Sequence, residues 1–254
     1  MLSTLFLSGC GRSDSERPVL TVFAAASLAD AAEEIARSFE AEHSAEIVHN
    51  FASSGALAQQ LIHASRADVF LSASIKWMDA LEQAGRLVPG SRGVFLSNQL
   101  VVVAPAGGAF AADGPERLCE MEFGYLCIGD PAHVPAGRYA KEWLEEVECG
   151  EGGSLWDAVE ARVNPAPDVR AALFMVARSR DMLGIVYATD FKAQADALRA
   201  IHLVPPEEGP GIDYGAGQLI DSASPDLARA YLDFLESEAA GEIFKRHGFR
   251  LPKR

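Results

Sequence analysis

Cysteine is scarce in this chain: four in 254 residues, with no C-x-x-C pair. A structural zinc site, which needs closely spaced thiolates, is therefore not expected. Positive charge is scarce as well. Lys and Arg number 22 against 36 Asp and Glu, a net charge of −14, and such a surface disfavours nucleic acid and anionic lipid headgroups. No stretch of 18 apolar residues occurs, so no membrane-spanning helix is expected. A nucleophile elbow, a P-loop and a metal-ligand cluster are also missing, which counts against an enzyme.

What is present is a good supply of apolar residues, 49% of the chain. That suffices for one large domain or two lobes of ordinary size. Strand-like and helix-like patterns alternate almost throughout, which points to an α/β protein whose sheets are mostly parallel, with helices on both faces. The first unit sets the theme. Leu20-Thr21-Val22-Phe23 reads as a buried parallel strand. Three alanines follow, and then Leu28, Ala32, Ile35 and Phe39 take helical spacing, with Ser27 where an N-cap belongs. A helix N-terminus at the end of a parallel strand offers unpaired N–H groups and partial positive charge, a seat for an anion. The alanines keep that seat bare. The simpler reading is that Ser27 only caps its helix.

Further along, Glu46 to Phe51 reads as a second strand ending in Ala52-Ser53-Ser54-Gly55, followed by a helix starting with Leu57. Asp68 to Leu71 is a third strand, and the next helix carries Trp77, Met78 and Leu81 before Gly85 closes it as a C′ residue. Leu100 to Ala104 is a buried strand, and Leu126 to Gly129 another. A helix then carries Tyr139, Trp143, Leu144 and Val147, and a further one runs from about Ser154 to Val163. Asn164-Pro165-Ala166-Pro167 reads as a break, after which Asp168 caps a helix bearing Val169, Leu173 and Val176. Leu183 to Tyr187 and Ile201 to Val204 read as strands, 207–215 as a polar loop, and 216–220 as a short strand. The tail is helical from Ser224-Pro225.

Four junctions share one character: Ser27, Ser53-Ser54, Pro135-Ala136-Gly137 and Asp168-Val169. Each offers N–H groups or a hydroxyl, and no Lys or Arg stands at the turn itself, although Arg138 and Arg170 follow by one residue at two of them. Neutral donors suit a fixed-charge anion, discriminating by size and protonation state where an arginine fork would grip any carboxylate or phosphate.

The blocks Phe23 to Leu28, Phe51 to Gly55, Ala67 to Ala73, Lys76 to Met78, Leu100 to Pro105, Gly129 to Gly137, Gly184 to Tyr187 and Glu242 to Arg246 together resemble the extracytoplasmic molybdate-binding proteins of ABC importers. The resemblance spans about 19–250. It implies a two-lobed type II periplasmic-binding-protein fold, with 19–97 plus 206–254 as lobe one and 98–205 as lobe two. It further implies molybdate, and tungstate of nearly the same size and charge, bound as an oxyanion by Ser27 and Ser54 (hydroxyl and N–H), Ala136 N–H, Val169 N–H and the Tyr187 hydroxyl. The expected partner is a membrane permease, with no cofactor, no catalysis and a monomeric chain. Each residue has a plainer role: Ser54 a cap with Ser53 the contact, Tyr187 a core residue, Asp168 a cap. Gly55 stands where this family often has a third small hydroxyl residue. Another tetrahedral oxyanion such as sulfate is the nearest alternative, an enzyme on the same scaffold a remoter one, and a cytoplasmic ligand-sensing regulator would need a DNA-binding segment that is not seen.

At the N-terminus, Leu7-Ser8-Gly9-Cys10 resembles a bacterial lipobox, so 1–18 reads as a leader and linker with Cys10 as the lipidated residue. A plain leader is the other reading; both place the protein outside the cytoplasm, periplasmic or lipid-anchored. Cys119 and Cys149 are a conceivable disulfide, and Cys127 reads as a small buried hydrophobe. His133 reads as a loop or interface residue, and His43, His49, His63, His202 and His247 as surface residues.

Overall fold

Strand and helix alternation organises the computed structural model, which describes residues 17–252 apart from 65, 108–109, 111–113, 116 and 151. Cys10 and the rest of the expected leader lie outside the described residues. The first lobe begins with β1 (Val19–Ala25), α1 (Ala29–His43), β2 (Glu46–Ala52), α2 (Ser54–His63), β3 (Val69–Ser72), α3 (Ile75–Gln83) and β4 (Gly93–Asn98). The second contains β5 (Leu100–Pro105), α4 (Arg117–Glu120), β6 (Tyr125–Gly129), α5 (Pro135–Glu146), β7 (Glu148–Cys149), β8 (Gly153–Ser154), α6 (Leu155–Val159), β9 (Val163–Ala166), α7 (Val169–Ala177), β10 (Met182–Tyr187), α8 (Ala188–Ala193) and β11 (Leu198–Leu203). The chain then returns to the first sheet with β12 (Ile212–Gln218) and ends in α9 (Pro225–Leu235) and α10 (Glu238–Arg246).

Two five-stranded sheets result, ordered β2-β1-β3-β12-β4 and β11-β5-β10-β6-β9. The fold is α/β and two-lobed, as expected, but each sheet is mixed. In the first, β1 pairs in parallel with β2 and β3, while β12 runs antiparallel to β3 and β4. In the second, β6 pairs in parallel with β9 and β10, while β5 runs antiparallel to β10 and β11. The antiparallel strands are those at which the chain passes between lobes, where no crossover helix is needed. Gln99 alone links β4 to β5.

Burial explains the elements. Residues 22–25 of β1 are all buried, as in a strand covered on both faces, and Ile35 and Phe39 carry the apolar stripe of α1 onto the sheet. Phe39 meets the rings of Tyr231 and Phe234 edge-on at 5.2 and 5.5 Å, so α9 completes the core begun by α1. The buried Asp68 carboxylate accepts from Thr21 N–H at 2.7 Å, Ser222 Oγ at 2.6 Å and Ala223 N–H at 2.8 Å, tying the returning chain to β1 and β3. Gly85, at φ +66°, ends α3 with a Schellman pair: its N–H donates to Glu82 O and that of Arg86 to Leu81 O, both at 2.9 Å.

Several local expectations need correction. The helix expected from Ser154 to Val163 stops at Val159 and tightens into a 3-10 turn, and the break read at 164–167 falls largely within the edge strand β9, Val163–Ala166. An edge strand tolerates Pro165 because one side of its ladder needs no N–H. The segment 207–215, read as a loop, contains the start of β12, and β4 was not foreseen. His49 and His202 are not plain surface residues: His49 stacks on Phe51 and burial pushes its imidazole down to about 4, while His202 stacks on Trp143 at 5.8 Å. Cys119 and Cys149 do form a disulfide, with Cα atoms 5.7 Å apart, and the Cys127 thiol is buried and free.

Candidate functional site

Helix starts from both lobes converge on one cavity. Its wall includes Ser27, Ser53, Ser54, Ala136, Val169 and Tyr187, so the structure brings together all five expected ligands. The first lobe supplies Ser27 and Ser54; the second supplies the rest. Ser54 is the first residue of α2, Ala136 the second of α5 and Val169 the first of α7. First-turn N–H groups have no intrahelical acceptor, and they carry the positive end of the helix dipole.

Each helix starts there for a local reason. Ser53, not Ser54, caps α2: its Oγ accepts from Ala56 N–H at 3.3 Å. That leaves Ser54 Oγ to accept from Ala73 N–H at 3.0 Å. Asp168 caps α7, accepting from Ala171 N–H at 2.8 Å, which is the plain role expected of it. Pro135 opens α5 at a position where its missing N–H costs nothing. A Cβ at Gly137 would collide with the carbonyl of Gly129, so only glycine lets α5 start so close to the end of β6. Ser27 departs from expectation. It does not cap a helix; it lies inside a 3-10 turn, Ala26–Leu28, and its Oγ is 3.0 Å from the Tyr214 hydroxyl. The tight turn after β1 consumes the residue that would have capped a regular helix.

Tyr187 is 1% exposed, and among the described residues its hydroxyl has no hydrogen-bond partner. Burial, with Tyr214, Tyr139 and Asp190 nearby, pushes its phenol well above the usual range, so the group is a donor. Among the described residues no Lys or Arg lines the cavity; Asp168 does, with its carboxylate taken up in capping α7. Arg138 is turned to Ser74 Oγ at 3.1 Å and to Glu142 at 3.2 Å. Arg170 lies 2.7 Å from Asp30 of the first lobe and 2.6 Å from Asp190. The two arginines adjoining the site are thus engaged elsewhere, and its polarity comes from neutral donors.

The cavity measures about 10 Å³, room for roughly one water-sized sphere. The lobes are drawn together over it. Gly55 N–H donates to His133 O at 3.1 Å across the cleft, and a side chain on Gly55 would collide with that carbonyl, so the third hydroxyl residue considered for this position has no room. A far larger cavity, about 1000 Å³, lies by the disulfide and is lined by Glu120, Glu146, Glu148, Glu207 and Glu208. That wall repels anions. Among the described residues no group of His, Cys, Asp and Glu is placed to hold a metal ion, and no helix is long and apolar enough to cross a membrane.

Residues 20–250 match the model of the bacterial extracellular solute-binding protein family. The chain belongs to that family. Among relatives in it, the molybdate-binding protein ModA of Escherichia coli K12 is 35% identical over 253 residues, covering 98% of this chain and 95% of that protein. Among solved structures, the periplasmic molybdate-binding protein of Azotobacter vinelandii superposes with a TM-score of 0.81 at 23% identity, covering 92% of this chain and all of that one. The sulfate-binding protein SubI of Mycobacterium tuberculosis gives the same TM-score at 15% identity, covering 92% and 87%. Equal scores for differently named proteins show that this solute-binding fold does not by itself select an anion.

Sequence reasoning missed Tyr214, Asn98 and the Arg170 bridge. Tyr214 lay in a stretch read as loop, and only its place in β12 turns it toward Ser27. Asn98 carried no signal beyond preceding a hydrophobic strand.

Proposed function

We propose that the protein binds molybdate, and tungstate of nearly equal size and charge, in the interlobe cavity and delivers it to the permease of an ABC importer. In this reading Ser27 and Ser54 donate through hydroxyl and N–H, Ala136 and Val169 through N–H, and Tyr187 through its phenol. The observation that carries it is the Tyr187 hydroxyl, buried beside three helix N-termini without a partner among the described residues. An orphaned buried hydroxyl costs about 1–3 kcal/mol, a cost offset when an acceptor arrives. A fully deprotonated oxyanion supplies only acceptors, and the relatives' names point to molybdate.

The cavity lies between the lobes, next to the Gly55–His133 contact that joins them, so each lobe contributes one half-site. Closure on the ligand is then favoured, since only the closed form lets both half-sites reach it. The lobes are taken as 19–97 plus 206–254 and 98–205. The protein catalyses no reaction and uses no cofactor. It works as an extracytoplasmic monomer, with Cys10 as its lipid attachment.

Thermal unfolding with molybdate, tungstate, sulfate or phosphate tests this. Ligand at 100 times its Kd adds about 2.7 kcal/mol of stability, a shift of several degrees. Molybdate and tungstate alone should raise the midpoint, and Ser27→Ala should clearly shrink the rise. An equal response to sulfate would reassign the anion, and no response to any of the four would refute the site.

A further inference from the structure

Ser27 and Ser54 are both held from behind. Ser54 Oγ accepts from the backbone N–H of Ala73, which leaves its own proton to be given elsewhere. Ser27 is held by a longer chain of side chains, and the direction of that chain can be worked out donor by donor.

It begins at the hinge. Gln99 N–H donates to Asn98 Oδ1 at 2.9 Å, which fixes the amide so that Nδ2 faces the other way. Nδ2 donates to Thr189 Oγ1 at 2.9 Å and to the Tyr214 hydroxyl oxygen at 3.1 Å, using both of its protons. Tyr214 therefore accepts from Asn98 and keeps one proton of its own. It is fully buried, and its other hydrogen-bond neighbour among the described residues is Ser27 Oγ at 3.0 Å. A buried hydroxyl proton is given to an available acceptor, so Tyr214 donates to Ser27. Burial holds the phenol protonated, in keeping with that role. Ser27 Oγ then accepts from behind, and among the described residues nothing else takes its proton. Ser27 lines two cavities, the interlobe one and another shared with Asp30, Arg170 and His247; its proton is assigned to the interlobe cavity, where the other expected donors converge.

We propose that Tyr214 and Asn98 are positioning residues that fix the polarity of the Ser27 hydroxyl, so that Ser27 donates into the cavity and the site prefers oxyanion edges that only accept. The inference rests on the reading above that Ser27 binds an oxyanion. A protonated anion that turned its own O–H toward Ser27 would meet a donor with a donor. The relay starts at Asn98, beside the one-residue link between the lobes, and a side branch from the same amide reaches Thr189 of the second lobe. It thereby joins hinge, second lobe and ligand donor in one hydrogen-bonded chain.

The test is calorimetric titration with molybdate, and with hydrogen arsenate by competition, on the full chain. Tyr214→Phe should weaken molybdate about tenfold, the loss of one oriented hydrogen bond. Hydrogen arsenate should weaken less, because the freed Ser27 can now accept from its O–H, and the preference for molybdate should fall. With Ser27→Ala already present, Tyr214→Phe should change the molybdate Kd less than about twofold, since the relay has lost its target. Asn98→Asp keeps the acceptor for Gln99 N–H but replaces the donor facing Tyr214 with an acceptor. The phenol then donates away from Ser27, and molybdate should weaken more than in Tyr214→Phe. Adding Tyr214→Phe to Asn98→Asp should recover part of that loss, which a mere charge effect would not allow.

An equal loss for both anions, or an effect of Tyr214→Phe that persists without Ser27, would make the phenol a packing residue and overturn the relay. If molybdate binds and Ser27→Ala weakens it while Tyr214→Phe matches the wild type, the relay alone fails. If the unaltered protein binds no oxyanion, the functional reading fails and takes the relay with it.

Discussion

The Gly55 N–H donates to the carbonyl oxygen of His133 at 3.1 Å, joining the first turn of α2 in one lobe to the loop before α5 in the other. Two main chains approach this closely only because Gly55 has no side chain. A Cβ there would collide with the His133 carbonyl and meet the Trp77 ring at 2.7 Å. The contact sits one residue from Ser54 and three from Ala136, so the spacing of the lobes and the spacing of the donors are set at one place.

Gly55→Ala is accordingly expected to impair closure more than folding. The added methyl keeps the lobes apart, so the molybdate Kd should rise at least tenfold. The ligand-free midpoint should fall by only a few degrees, because in the open form the methyl faces the cleft. A titration showing wild-type affinity would contradict this.

Tyr187→Phe separates binding from stability. The hydroxyl has no partner among the described residues, so its removal should leave the ligand-free protein as stable as before or slightly more so. A hydrogen bond to a charged acceptor is worth about 1.5–3 kcal/mol, so the molybdate Kd should rise roughly 10- to 100-fold. Paired unfolding and titration measurements check both halves. Unchanged affinity would return Tyr187 to the role of a core residue.

Asp190 predicts a pH dependence. It is fully buried, and burial pushes its carboxyl up to about 6 despite the Arg170 guanidinium beside it. The folded state therefore binds the proton more tightly than the unfolded chain does. Stability from this group is present at low pH and falls as pH rises from about 4 to about 6, levelling off above. Relative to Asp190→Asn, which does not titrate, the protein should lose on the order of 3 kcal/mol across that window. Unfolding curves at several pH values give the difference directly, and a flat one would refute the assignment.

The Cys119–Cys149 disulfide closes a loop of 30 residues in sequence separation. Constraining such a loop in the unfolded chain is worth about 3–4 kcal/mol. Reduction should lower the unfolding midpoint clearly. Its lining residues border the acidic cavity and not the candidate site, so molybdate affinity should be unaltered. A large change in Kd on reduction would tie this region to the cleft.

By itself the sequence determined whatever depends on neighbours along the chain. An apolar run followed at once by helical spacing marks a strand end facing a helix start, and a Ser or Asp at that boundary is chemically a cap. Asp168 behaves so, and Ser53 does beside Ser54. The family resemblance supplied the residues that would share one site, including Tyr187, whose position on a strand carries no local mark of function.

Tertiary structure alone decided the rest, because it rests on contacts between residues remote in sequence. The antiparallel seating of β12 between β3 and β4 cannot be read from 207–218, where the polar and glycine residues suit a loop equally well. Once seated, it carries Tyr214 to Ser27, 187 residues away, and changes Ser27 from an expected helix cap into the end of a buried relay. Asp30, Asp190 and Arg170 meet for the same reason. Local sequence sets which backbone groups are left unpaired; only the packed fold sets which distant side chain orients them.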